Sequence, residues 1–160
     1  MKRLHAVLWA GWLIFMASPI LAGGAKVDYP EDYRNWTHVK SMVIEPGHPL
    51  ENPFQGIHHI YANSKALQGL QGGEFADGSV LVFDLLKYNE ADNTLQESDR
   101  KLIGVMQRDG AAFGKTGGWG FEAFAGDSQT QRIVTDGGVG CYACHTAQED
   151  HAFVFSRFRN

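Results

Sequence analysis

Five residues near the end of the chain, Cys141-Tyr142-Ala143-Cys144-His145, combine two thiols and an imidazole at a spacing that can do chemistry. Cys-x-x-Cys-His is the attachment pattern of c-type haem. One helical turn presents both thiols to the porphyrin vinyl groups, where they form thioethers. The next residue, His145, then offers a neutral imidazole nitrogen to the iron as axial ligand. A thioredoxin-like redox pair and half of a zinc site are the other readings of Cys-x-x-Cys. No second cysteine pair exists to complete a zinc site, and no βαβ pattern surrounds this one. The motif therefore implies one covalently attached haem c, bound through Cys141, Cys144 and His145.

The start of the chain supports that reading. Lys2 and Arg3 precede an apolar run from Leu8 to Leu21, and small residues follow at Ala22, Gly23 and Gly24. This is the pattern of a secretory signal peptide over residues 1–22, too short and too weakly flanked for a membrane anchor. Thioether attachment is made outside the bacterial cytoplasm, so the expected location is the periplasm, with no membrane association after cleavage. Residues 23–160 are then one haem c domain. The haem uses both cysteines and leaves no disulfide to staple the fold. The formal net charge is −4, and no basic stripe suggests a nucleic-acid partner.

The motif needs a scaffold, and the pattern predicts mostly strands. Pro30 to Trp36 reads as a short helix start. Val39, Ser41 and Val43 alternate with His38, Lys40 and Met42 as in a strand. Glu45 to Pro53 reads as loop, Ile57 to Ala62 as a strand, and Ser64 to Leu70 as a short helix capped by Asn63 or Ser64. Ser79 to Tyr88 is the strongest strand. Asn89 to Asn93 supplies a turn, and Leu102 to Arg108 returns as the second half of a hairpin. Gly117 to Phe124 reads as another strand behind a glycine turn. The haem motif falls on a short helix after Gly137-Gly138. The expected fold is α+β, an antiparallel sheet of about five strands with short helices and the haem near the C-terminus. No Met follows His145, and no long heptad-like helices occur. Those two facts exclude cytochromes with a downstream axial Met and four-helix cytochromes c′.

Together these stretches resemble the cytochrome P-four-sixty family, a small β-rich c-type haem fold. The resemblance rests on Tyr29-Pro30-Glu31-Asp32-Tyr33-Arg34-Asn35-Trp36, His59-Ile60-Tyr61-Ala62-Asn63, and Gly73-Glu74-Phe75-Ala76-Asp77-Gly78-Ser79-Val80. Thr116-Gly117-Gly118-Trp119-Gly120-Phe121, the haem motif, and Phe153-Val154-Phe155-Ser156-Arg157-Phe158 complete it. Members that oxidise hydroxylamine carry a lysine cross-linked to the porphyrin a few residues after the Asp-Gly. Here that position falls on Phe83, whose phenyl ring cannot form the bond, and Lys87 lies four residues on. The departure resembles the cytochrome c′-beta branch, in which two phenylalanines cap the distal face of a five-coordinate haem. That resemblance implies Phe83 as one cap and Phe54 as the other. It also implies a homodimer.

An apolar cap has its own consequences. Neutral diatomic gases such as NO and CO can enter, whereas polar or anionic ligands meet unfavourable desolvation. Arg34, Arg157 and Arg159 are candidates to meet the haem propionates. His38, His48, His58, His59 and His151 are read as non-ligands; on a strand His58 and His59 point to opposite faces, one of them to solvent. Met42 and Met106 are read as core filler, and Trp36 and Trp119 as core aromatics near the cofactor. The first functional reading is a gas-binding cytochrome with an unknown redox partner. The alternatives are a hydroxylamine- or NO-converting oxidoreductase of the cross-linked type, and a six-coordinate electron carrier.

Overall fold

From Val80 to Leu86 every residue but Phe83 and Asp84 is aliphatic, so this strand must be covered on both faces, and it lies in the middle of the sheet. The computed structural model describes residues 25–159; residues 1–22, expected above to be a signal peptide, lie outside them. Five strands, β1 (Thr37–Ile44), β2 (Gly56–Ala62), β3 (Val80–Ala91), β4 (Thr94–Arg108) and β5 (Trp119–Ala125), pair antiparallel in chain order. Among the described residues three short α-helices accompany them: α1 (Glu51–Phe54), α2 (Ser64–Leu70) and α3 (Val139–His145). The expected α+β architecture is the one observed. Among the described residues, no helix is long and apolar enough to cross a membrane.

Local chemistry explains several boundaries. The Asn63 side chain accepts the Ala66 N–H and caps α2. Asp92 and Asn93 both adopt left-handed φ, 51° and 57°, and turn β3 into β4. The sequence pattern predicts that turn over Asn89 to Asn93 and a return strand from Leu102. In the structure β3 continues to Ala91 and β4 begins at Thr94. Here the ribbon extends past its neighbours and is largely exposed, so polar residues there do not interrupt the ladder. The predicted loop from Glu45 to Pro53 also holds the single turn α1.

Strand register sorts the side chains onto two faces. Leu81, Trp119 and Phe121 pack with Val39, Ala62, Ala66, Leu70 and Val154, and Cys141 and Tyr142 join them. This is the motif face. Val27, Tyr33, Val82, Ile103, Val105 and Phe124 form a second cluster on the opposite face. Burying Phe124 alone contributes roughly 2–3 kcal/mol. Fully buried Asp84 also points to the second face, where the Tyr33 hydroxyl donates to it at 2.7 Å and Arg100 Nε at 2.6 Å. Burial first, and the hydrogen bond to Asp84 with it, push the Tyr33 hydroxyl up to about 12.

Candidate haem site

Helix α3 is set against β5 by a close approach. Gly138 precedes it with φ 87°, and a Cβ there would lie 2.9 Å from Phe121 Cβ. Only glycine accepts both conditions. The Asp136 carboxylate accepts the N–H groups of Gly138 at 2.9 Å and Gly140 at 2.8 Å. Those bonds hold its carboxyl below the usual range. The helix presents its first cysteine half-buried and its second exposed. Burial, then the Asp136 charge, push the Cys141 thiol upward.

His145 closes α3 with its ring between two phenylalanines. The Phe121 and Phe155 centroids are each 5.0 Å away. Its Nδ1 donates to the carbonyl oxygen of Phe153 at 2.6 Å. Sequence could not name that partner. Burial lowers the imidazole's pKa and this bond partly offsets the shift. The ring is thus held neutral, with Nε2 as its unprotonated nitrogen, which suits an axial ligand.

The other wall of the site is aromatic. One row across the motif face runs Lys40, Ile60, Phe83, Gly104, Ala123 from β1 to β5. Phe83 is half-buried, and Phe54 meets it edge-on with centroids 5.7 Å apart. Lys101 positions Phe54 by donating its Nζ to the carbonyl oxygens of Pro53 and Gln55, at 2.7 and 2.8 Å. Beside Phe83, Gly104 has no side chain and Ala123 only a methyl. The row therefore dips between Phe83 and the strand that carries His145's neighbour Phe121. Two thiols, an oriented imidazole and this depression fit a haem. No lysine occupies the Phe83 position, and Lys87 points away as an exposed partner of Asp99 at 3.4 Å.

The structure brings together Cys141, Cys144 and His145 on one side and Phe54 with Phe83 on the other. Of the three arginines proposed for propionates, one is drawn to the opposite face. Arg34 lies against the opposite face, with Nη2 3.1 Å from Asp84 Oδ2. Its charge is committed to a buried carboxylate there, which takes it away from the motif. Arg157 lies in the tail, donating to the Val154 carbonyl at 2.7 Å and Gln148 at 3.1 Å. Arg159 is exposed.

Other residues also depart from expectation. Trp119 is buried on the motif face, but Trp36 packs with the opposite cluster. Met106 borders the core, whereas Met42 is 41 % exposed on the edge strand. Neither histidine of the pair on β2 points freely to solvent. His59 bridges Ser41 and Glu97 on the second face, and His58 is buried on the motif face beside Phe83. The aromatic wall thus has a polar member that a purely apolar cap did not include. Its burial was hidden because alternation fixes that the two rings diverge, without saying which goes inward.

The protein-family model described as Cytochrome P460 matches residues 30–156. The chain belongs to this family. Membership makes it a haem-binding cytochrome, in agreement with the donor set around α3. A search of curated proteins returns no match.

Proposed function

We propose that this member of the family is an exported, periplasmic cytochrome with one covalent haem c that binds NO and CO at an open axial position. Cys141 and Cys144 hold the group by thioethers, and His145 supplies the proximal ligand. The haem iron supplies the open position at which a diatomic gas binds. The chain's residues decide what reaches it. Phe83 places a ring where hydroxylamine-oxidising relatives carry a cross-linked lysine, and Phe54 packs against it, which resembles the cytochrome c′-beta branch.

The observation that carries this reading is the Phe54–Phe83 contact at 5.7 Å on the same sheet face as the motif. Two packed rings exclude water and leave charged ligands unsolvated. A neutral gas loses little on entering. Scavenging, sensing or carrying NO all rest on that selectivity.

The reading is tested by replacing one ring. Phe83→Ala opens the wall, and azide affinity of the ferric protein is expected to rise roughly tenfold or more as water and anions gain entry. An unchanged azide affinity would show that Phe83 does not cap the ligand side.

A further inference from the structure

His58 is the titratable residue at this site to which the gas-binding reading gives no task. It enters the motif face from β2, 4 % exposed, in register with Leu85 and so diagonal to Phe83. Its imidazole and the Phe83 ring have centroids 4.5 Å apart and planes 33° from parallel. Its Nδ1 is buried and has no hydrogen-bond partner. Buried polar nitrogens are seldom left unpaired, because losing water without a replacement partner costs stability. Its neighbour His59 shows the contrast, with both ring nitrogens engaged on the other face by Ser41 and Glu97. The orphan nitrogen is therefore a feature of the motif face. Trp119 Nε1 is also unpaired, but that ring is sealed beneath Phe75 and Arg108 and does not touch Phe83 or Phe54.

We propose, building on the gas-binding reading, that His58 is the specificity-determining residue of the ligand side. Phe83 rotates off its ring contacts to admit a diatomic gas, and the uncovered Nδ1–H of His58 donates one hydrogen bond to it. The donor is neutral. Burial first, then the charges of Lys40 and His59, push the imidazole down to about 4. At neutral pH the ring therefore carries a single proton, and the tautomer with that proton on Nδ1 is the donor. Such a group adds polarity without charge and favours a gas whose outer atom accepts a hydrogen bond over one whose outer atom does not. Phe83 then acts as the gate and His58 as the contact behind it.

The test uses the intact haem protein and CO as probe. His58→Phe keeps a ring against Phe83 and removes both nitrogens; His58→Gln restores a donor. The infrared C–O stretch of the ferrous CO form is expected to shift between H2O and D2O in the wild type. In His58→Phe that isotope shift is expected to vanish, the stretch to rise, and CO release to quicken about fivefold, the size of one ordinary hydrogen bond. His58→Gln recovers part of each change, and the ferric absorption spectrum stays as in the wild type. A wild-type stretch and release rate in His58→Phe would overturn the proposal. So would the lack of an isotope shift in the wild type, which needs no variant to fold. A wild-type ferrous protein that takes up no CO would contradict the gas-binding reading itself, and the role of His58 with it.

Discussion

The Nδ1–H of His145 donates to the carbonyl oxygen of Phe153 across 2.6 Å. That carbonyl is aimed by two residues in the left-handed region, Ala152 at φ 51° and Phe153 at φ 66°. The tail thereby turns back on the helix that carries the motif, and Phe153 rests on Tyr142 at 5.2 Å. A partner on one imidazole nitrogen fixes the orientation of the other.

Ala152→Pro breaks that arrangement, because proline cannot adopt a positive φ and loses the N–H that donates to Glu149 at 3.0 Å. Ala152→Gly keeps the turn. The iron–histidine stretching frequency of the ferrous protein is expected to shift in the proline variant and to stay put in the glycine variant. The same frequency in both would remove Phe153 as the residue that orients His145.

Gly104 tests the depression beside Phe83. A Cβ at this position meets Phe83 Cβ at 3.4 Å, an ordinary contact, so Gly104→Ala is expected to be tolerated. Gly104→Leu fills the space with an isobutyl group. The haem-to-protein ratio should fall in the leucine variant while far-ultraviolet circular dichroism keeps the strand signal. Full haem loading of that variant would show that the row is not the floor of the site.

Asp84 tests the scaffold independently of the haem. Its carboxylate is buried and shared by Tyr33, Arg34 and Arg100. Asp84→Ala removes the buried anion from the largely buried guanidinium of Arg100 and leaves it only the exposed carboxylate of Asp127, and stability is expected to fall by about 3 kcal/mol. Urea unfolding measures this. A loss as small as that of an exposed ion pair would contradict the buried network.

Stability should depend on pH through His58. Its folded pKa of about 4 lies below the ordinary value of 6.5. Between those values the unfolded chain binds a proton that the folded chain does not. Stability therefore falls as pH drops through this window, with the loss complete below about pH 4, by on the order of 3 kcal/mol. Urea unfolding at pH 7 and pH 4.5 should show a larger loss for the wild type than for His58→Leu. Equal losses would place the imidazole in a wetter setting than its burial indicates.

How much was legible in the sequence depends on the range of the interaction. The short helix α3, the Asn63 cap and the strand character of β1, β2 and β5 are local patterns, and they read correctly. The long β3–β4 ribbon was shortened because Asn89 and Glu90 look like turn residues to any local rule. The pairing of Arg34 with Asp84 was missed for a different reason. Asp84 is a lone carboxylate in an apolar strand, and such a charge demands buried cations. That signal was present in the sequence and pointed to the arginines. His145's partner was hidden, since nothing in Ala152-Phe153 announces left-handed backbone. The inward turn of His58 rests on which sheet face receives the motif helix, and only the assembled fold decides that.

The central claim is tested most directly by the absorption spectrum of the purified haem protein, ferric and then ferrous, before and after NO. An open iron behind Phe54 and Phe83 predicts high-spin spectra without a red-shifted cross-link band, and a clear change on adding NO. A red-shifted band would mean that a lysine has reached the porphyrin, and low-spin spectra indifferent to NO would mean a sixth protein ligand. Either result would contradict the account.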